Sequence, residues 1–144
     1  MPFRPGNFRG AVLAVRQTAS ANAAVDESAG VARVVQHLED ARVGRPHPAS
    51  QTLTKFVYPG ASPSISANGT QDGIVWVLEN KDPAVLHSYD ANDVSRELYN
   101  SDQAWFGRDH FGAGNKFITP MIANGKVYVG TRNGVGVFGL LANK

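Results

Sequence analysis

Two Asn-Gly pairs, at Asn124-Gly125 and Asn133-Gly134, divide the last part of the chain into short apolar runs. A type I′ turn requires positive φ at both central residues, and Asn-Gly meets this requirement readily. The runs are rich in β-branched and aromatic side chains, which favour strands. We therefore predict an antiparallel meander. Its three strands are residues 118–123, 126–130 and 135–140, and Pro120 suggests that the first starts there or lies at a sheet edge.

The same pattern occurs earlier in the chain. Residues 62–69 contain Ser-Pro followed by Ala-Asn-Gly, and residues 119–125 contain Thr-Pro followed by Ala-Asn-Gly. Strand-like runs follow both copies, and a repeating unit of four short strands over roughly 40–60 residues is typical of a propeller blade. In the first copy the predicted strands after the Asn-Gly are residues 73–78, 84–91 and 95–99, the last being the outer strand.

A family resemblance rests on these phrases. Residues 89–99 resemble the blade motif of pyrroloquinoline-quinone-type propellers, which runs Asp-Ala, a Thr-Gly turn and a docking Trp. In this chain Val94-Ser95 occupies the position of the Thr-Gly turn, and Tyr99 occupies the position of the docking Trp. Residues 117–141 are especially similar to the last blade of bacterial quinoprotein-like proteins, and the resemblance covers about residues 52–141. It implies an all-β fold, a partial β-propeller of about two four-stranded antiparallel blades, cut from the C-terminal part of a larger propeller.

Composition divides the chain near residue 50. The segment before residue 51 has six Arg, no Lys and two aromatic residues, whereas the rest has three Arg, five Lys and eleven aromatic residues. Such a shift marks a boundary between regions of different origin. We predict an unrelated N-terminal segment at 1–50 and quinoprotein-like blades at 51–144.

The N-terminal segment is predicted to be disordered or partly helical. Residues 1–27 show no periodicity, residues 28–42 carry apolar side chains at helical spacing, and residues 42–50 read as a linker. We expect residues 1–45 not to pack into the sheets, apart from a possible helix around residues 31–38. The apolar stretch 11–15 is shorter than the hydrophobic part of a signal peptide, so no signal is assigned and the compartment stays open, although the parent family is often periplasmic or secreted.

One long connection carries the candidate ligand-binding residues. Arg108, Asp109 and His110 could bind an anion or relay a proton, and Trp105 and Phe106 could stack on a planar ligand. The alternative interpretation, which we favour, is an inter-blade crossing whose aromatic side chains pack on the sheet and whose Arg108 and Asp109 neutralise each other.

Other polar and aromatic residues are assigned structural roles. Asp90, Asn92 and Asp93 lack the Gly and the bidentate Glu of a calcium loop, and they favour a turn. His87 is predicted to be a half-exposed strand residue, not a metal ligand. Trp76 is predicted to lie in the core.

These observations favour a non-catalytic propeller fragment with a structural or interaction role. The alternative is a piece of a quinone-dependent dehydrogenase, for which the family implies pyrroloquinoline quinone, a calcium ion held by Glu and Asn, an Asp base and often a Cys pair. The chain has no Cys, and the remaining residues cannot be matched position by position. We therefore expect no catalytic residue, metal or cofactor.

Partner expectations follow from the open sheets and the charge. Uncovered blade edges predict self-association or a protein partner. The net charge of +2 is modest, and the scattered N-terminal Arg residues lack interleaved aromatic residues, so no nucleic-acid partner is expected. No stretch has the length of a membrane span.

Overall fold

The computed structural model of the chain describes residues 22–26, 33–37 and 48–140. Within these residues the chain forms three antiparallel sheets and two single-turn 3₁₀ helices, at Ser101–Gln103 and Trp105–Gly107. The predicted all-β class is confirmed. The strands are β1 Asn22–Asp26, β2 Arg33–His37, β3 Pro48–Gln51, β4 Ser64–Asn68, β5 Gln71–Glu79, β6 Val85–Asp90, β7 Asp93–Asn100, β8 Met121–Ala123, β9 Lys126–Gly130 and β10 Val135–Phe138.

The four-stranded sheet is a meander in the order β4-β5-β6-β7. Two-residue turns join its strands at Gly69-Thr70 and Ala91-Asn92. Gly69 has φ of 61°, a conformation that glycine adopts without steric cost. The outer strand β7 contains the predicted strand at 95–99, so the predicted first unit is confirmed as a four-stranded antiparallel sheet.

The second sheet has three strands in the described residues, in the order β10-β9-β8, rather than four. Asn124 and Gly125 both have positive φ, 50° and 70°, as a type I′ turn requires. The second hairpin has its tip at Asn133-Gly134, as predicted, but through a four-residue loop, 131–134, without positive φ. The first strand begins after Pro120 and lies at the sheet edge, and the last strand ends at Phe138.

Side chains of β5 alternate between the two faces of the four-stranded sheet. Val75 and Val77 point to one face, where they form a core with Phe56, Tyr89 and Val94. Leu78, on the other face of β5, is buried as well. Because both faces of this strand are covered, it is a continuous run of apolar residues.

The opposite face of the four-stranded sheet packs on the three-stranded sheet. Leu78 and Leu86 form a core with Val127 and Val129, and Trp76 packs against it as predicted. The Trp76 indole donates a 2.8 Å hydrogen bond to Ser66 Oγ. The strands that meet between the two sheets are β4 and β8, whose Cα atoms come within 8 Å of each other.

The predicted helix at 28–42 is wrong for residues 33–37, which form β2 between β1 and β3. Arg33-Val-Val-Gln-His has two adjacent β-branched residues, and strand pairing prevails over the helical spacing of its apolar side chains. The remainder of that predicted helix lies outside the described residues. So does most of the predicted disordered stretch 1–27, although residues 22–26 form β1.

The predicted linker at 42–50 is also wrong at its end, where residues 48–50 belong to β3; residues 42–47 lie outside the described part. Strands β2 and β3 lie beside β7, and Ser50 Oγ accepts a 3.0 Å hydrogen bond from the Val94 amide. Strand β2 lies within the stretch 31–38 that was excepted from the expected separation of residues 1–45, and it packs beside β7 as a strand instead of as the expected helix. The division of the chain at residue 50 stays a prediction.

None of the helices in the described ranges is long and apolar enough to cross a membrane.

Candidate functional site

The connection formed by residues 101–118 carries all five predicted ligand-binding candidates. Several backbone hydrogen bonds hold this connection against the rest of the molecule. The Gly114 amide donates to Lys81 O, and the Ala84 amide donates to Gly112 O, both at 2.9 Å. The segment is therefore anchored on the loop between β5 and β6.

Trp105 and Phe106 stand out from this connection into solvent. Trp105 is 83 % exposed and Phe106 is 96 % exposed, and their ring centroids lie 5.3 Å apart in an edge-to-face arrangement. The interpretation that these rings pack on the sheet is therefore wrong. Phe111 fills that place, with its ring edge-to-face on Phe138 at 5.0 Å.

The reason is the local backbone. Phe106 has φ of 55° and ψ of 25°, and Gly107 follows with φ of 65°. This left-handed pair reverses the chain at a 3₁₀ turn and directs the Phe106 ring away from the sheets. A left-handed conformation costs a non-glycine residue about 1–2 kcal/mol.

Arg108 and Asp109 form an ion pair, as the favoured interpretation expects. Arg108 Nε lies 2.7 Å from Asp109 Oδ1 and its Nη2 lies 3.0 Å from Oδ2. The Tyr99 hydroxyl also donates to Oδ2 of the same carboxylate. The hydrogen bond from Arg108 lowers the pKa of Asp109, burial partly opposes it, and Tyr99 adds to the lowering. Burial, followed by the Asp109 hydrogen bond, raises the pKa of Tyr99.

His110 is separate from that ion pair. Its Nε2 lies 3.5 Å from Asp102 Oδ1, and Asp102 also accepts a 3.2 Å hydrogen bond from Lys81 Nζ. Lys81 in turn lies 3.2 Å from Glu79 Oε2. The five candidates therefore divide into an exposed aromatic pair, a neutralised ion pair and a histidine beside a carboxylate.

A second polar cluster was missed by sequence reasoning. His87 is only 5 % exposed, so its prediction as a half-exposed strand residue is wrong. Its Nδ1 lies 2.6 Å from Glu97 Oε1 on β7, and its Nε2 lies 3.2 Å from Glu79 Oε2 on β5. Carboxylates only accept hydrogen bonds, so both contacts form together when the imidazole carries two protons.

Aromatic rings enclose this cluster. His87 is edge-to-face with Phe56 at 5.6 Å and stacked on Tyr89 at 6.0 Å. The hydrogen bond from His87 lowers the pKa of Glu79, burial opposes it, and Lys81 adds to the lowering. The signal for burial was present in the alternation of Val85, His87 and Tyr89 along one face of β6.

The cluster is arranged for bridging strands rather than for chelation. Glu79 and Glu97 contact opposite nitrogens of the ring, so they approach His87 from different sides. Among the described residues, no group of three or more His, Cys, Asp or Glu side chains is placed to hold a metal ion.

The acidic residues near the β6–β7 turn serve the turn itself. Asp90 Oδ1 accepts a 2.8 Å hydrogen bond from the Asn92 amide, and Asp93 Oδ1 accepts a 3.0 Å bond from the Ser95 amide. Asp90 also pairs with Arg96 at 3.2 Å. The predicted turn role of these residues is confirmed.

Comparison of the chain with protein-family models, with curated proteins and with solved structures gives no match.

Proposed function

We propose that this chain supplies two adjacent blades of a quinoprotein-like β-propeller, and that its role is structural or protein-binding, without catalysis of its own. The observation that carries the proposal is the face-to-face stacking of the two meanders. Neighbouring blades of a propeller are antiparallel sheets arranged radially around a central channel. The approach of β4 to β8, the first strand of each meander, is the arrangement expected of two inner strands.

Equivalent residues of the two repeated units show which face of each sheet packs on the part of the chain that precedes it. Val75 and Val77 in the first unit correspond to Val127 and Val129 in the second. The second pair packs on the first unit through the face that carries Leu78, and the first pair packs on Phe56. Each unit thus turns its Val-x-Val face toward what precedes it, as successive blades do.

The opposite face of the three-stranded sheet is uncovered in the described structure. Met121 and Val137 are the cross-strand partners of Tyr128, and Val135 lies two residues from Val137 on the same face. We call these four residues the outer face; Met121, Val135 and Val137 are each more than half exposed. An apolar sheet face of this kind is suited to contact with another protein surface.

Sedimentation velocity across a range of protein concentrations tests the interaction role, with a second copy of the chain as the probe. We expect weak, concentration-dependent association of the unaltered chain and its loss in Val137→Lys. The matched control is Leu53→Lys, because Leu53 is 80 % exposed and lies outside the outer face. A chain that stays monomeric at every concentration would contradict the interaction role.

Titration with pyrroloquinoline quinone and calcium, followed by Trp76 and Trp105 fluorescence, separates this role from the dehydrogenase alternative. A cofactor site buries most of its ligand between converging walls, and two blades supply only part of such a wall. We expect no saturable binding. One-to-one binding at micromolar concentrations by the monomer would favour the dehydrogenase.

A further inference from the structure

Three Asn-Gly pairs lie in the described residues, at Asn68, Asn124 and Asn133, and both members of each pair are exposed. An asparagine followed by glycine can react with its own backbone, because the glycine amide nitrogen has no neighbouring Cβ to hinder its approach to the asparagine side-chain carbonyl. The reaction requires the asparagine ψ angle to rotate freely. The three pairs differ in how firmly the surrounding strands hold that angle.

Asn68 and Asn124 are held closely by strand pairing. Asn68 is itself paired with Gln71 in the ladder of β4 and β5. Asn124 lies in a two-residue turn closed by the directly flanking pair Ala123 and Lys126, and positive φ at both central residues holds it in one conformation. Rotation at either asparagine would break the end of a hairpin.

Asn133 is held more loosely. It lies inside the four-residue loop 131–134, and the nearest strand pair is Gly130 with Val135. The Thr131 amide and the Thr131 hydroxyl both donate to Gly134 O, at 2.9 and 3.1 Å, and thereby close the loop. The peptide bond between Asn133 and Gly134 lies inside the closed loop and takes no part in these hydrogen bonds. In the described part of the chain the Gly134 amide nitrogen donates no hydrogen bond.

We propose that Asn133 is a site of spontaneous deamidation, and that it reacts faster than Asn124 and Asn68. The Gly134 amide nitrogen attacks Cγ of Asn133, a C–N bond forms, and the side-chain nitrogen leaves as ammonia. Water then opens the resulting succinimide at either carbonyl, giving aspartate or isoaspartate at this position. The only co-reactant is water.

The product changes the tip of the hairpin between β9 and β10. A new carboxylate stands beside Arg132, and the isoaspartyl form adds one methylene group to the backbone of the loop. Val135, the first residue of β10, belongs to the outer face, so the change occurs at the border of that surface. The inference depends on the hairpin geometry and not on the proposed function.

The test is incubation of the full chain at mildly alkaline pH, followed by peptide mapping with mass spectrometry at all three sites. We expect a gain of one mass unit at Asn133 several-fold sooner than at Asn124 or Asn68. Gly134→Ala should suppress the change at Asn133 alone. The fold tolerates that substitution, because the added Cβ would meet only Thr131 Oγ1, at 4.0 Å, and Gly134 has no positive φ.

The same incubation in denaturant separates the effect of the fold from that of the dipeptide. In the unfolded chain each asparagine has glycine after it and no strand pairing, so the three rates should become similar. Equal rates in the native chain, a faster native rate at Asn124 or Asn68, or the same ratio of rates with and without denaturant would overturn the proposal.

Discussion

The Nδ1 atom of His87 lies 2.6 Å from Oε1 of Glu97, within a face of the four-stranded sheet that is otherwise apolar. With the second contact to Glu79, one side chain connects three neighbouring strands, β5, β6 and β7. Removing a single partner from such a set leaves a partly buried charge without compensation, and this lowers the stability of the fold.

His87→Ala is therefore expected to destabilise the chain. The substitution removes both hydrogen bonds and the contacts with Phe56 and Tyr89, and it leaves Glu79 and Glu97 without the imidazole between them. We expect the free energy of unfolding to fall by about 2–3 kcal/mol, measured by chemical denaturation. His110→Ala is the control, because His110 is nearly half exposed. Equal effects of the two substitutions would contradict the bridging role of His87.

Acid is expected to destabilise the chain through Glu79 and Asp109. Both carboxyl groups have a pKa lowered in the folded chain, chiefly by hydrogen bonds from His87 and Arg108 respectively. Their stabilisation is present above the ordinary carboxyl pKa and is lost as pH falls through the lowered folded value. The free energy of unfolding, measured at successive acidic pH values, should show this loss. Glu79→Gln and Asp109→Asn should each reduce the slope of the free energy of unfolding against pH. An unchanged slope in both variants would refute the contribution of these two carboxyl groups.

Gly136→Ala is expected to disturb the contact between the second sheet and the loop that covers it. An added Cβ would lie 2.7 Å from Cδ2 of Phe111, whose ring packs on Phe138. Overpacking of this kind costs about 1–3 kcal/mol, which thermal or chemical unfolding will detect. Gly134→Ala on the same hairpin meets no such contact and should be nearly neutral. Similar losses in both variants would assign the effect to the backbone rather than to Phe111.

Phe106→Gly is expected to leave stability unchanged or to raise it by up to about 1 kcal/mol, because relief of the left-handed conformation offsets the entropy cost of glycine. The lost ring contributes little, since it is almost fully exposed. Trp105→Gly is the matched change at a residue without positive φ, and it should lower stability by about 0.5–1 kcal/mol. Denaturation of the two variants side by side gives the comparison. A larger loss for Phe106→Gly than for Trp105→Gly would show that the ring packs in solution.

The local sequence determined the strands of the four-stranded and the second three-stranded sheet and their order, but not β1, β2 and β3. Asn124-Gly125 can adopt positive φ at both residues, so it predicts a two-residue hairpin without reference to the rest of the chain. Runs of β-branched and aromatic residues likewise predict β5 and β6, and the Asp-rich stretch at the end of β6 predicts a turn. These features depend on neighbours a few residues apart, which sequence patterns record directly.

Only the tertiary structure decided which faces are covered and which polar side chains meet. His87 is joined by Glu79 and Glu97, which lie eight and ten residues away and approach it because three strands align. Trp105 and Phe106 are aromatic, yet a left-handed turn directs them into solvent, whereas Phe111 packs inside. Burial and pairing depend on strand register and on the conformation of the loops, and the residue types in a loop do not by themselves determine its conformation.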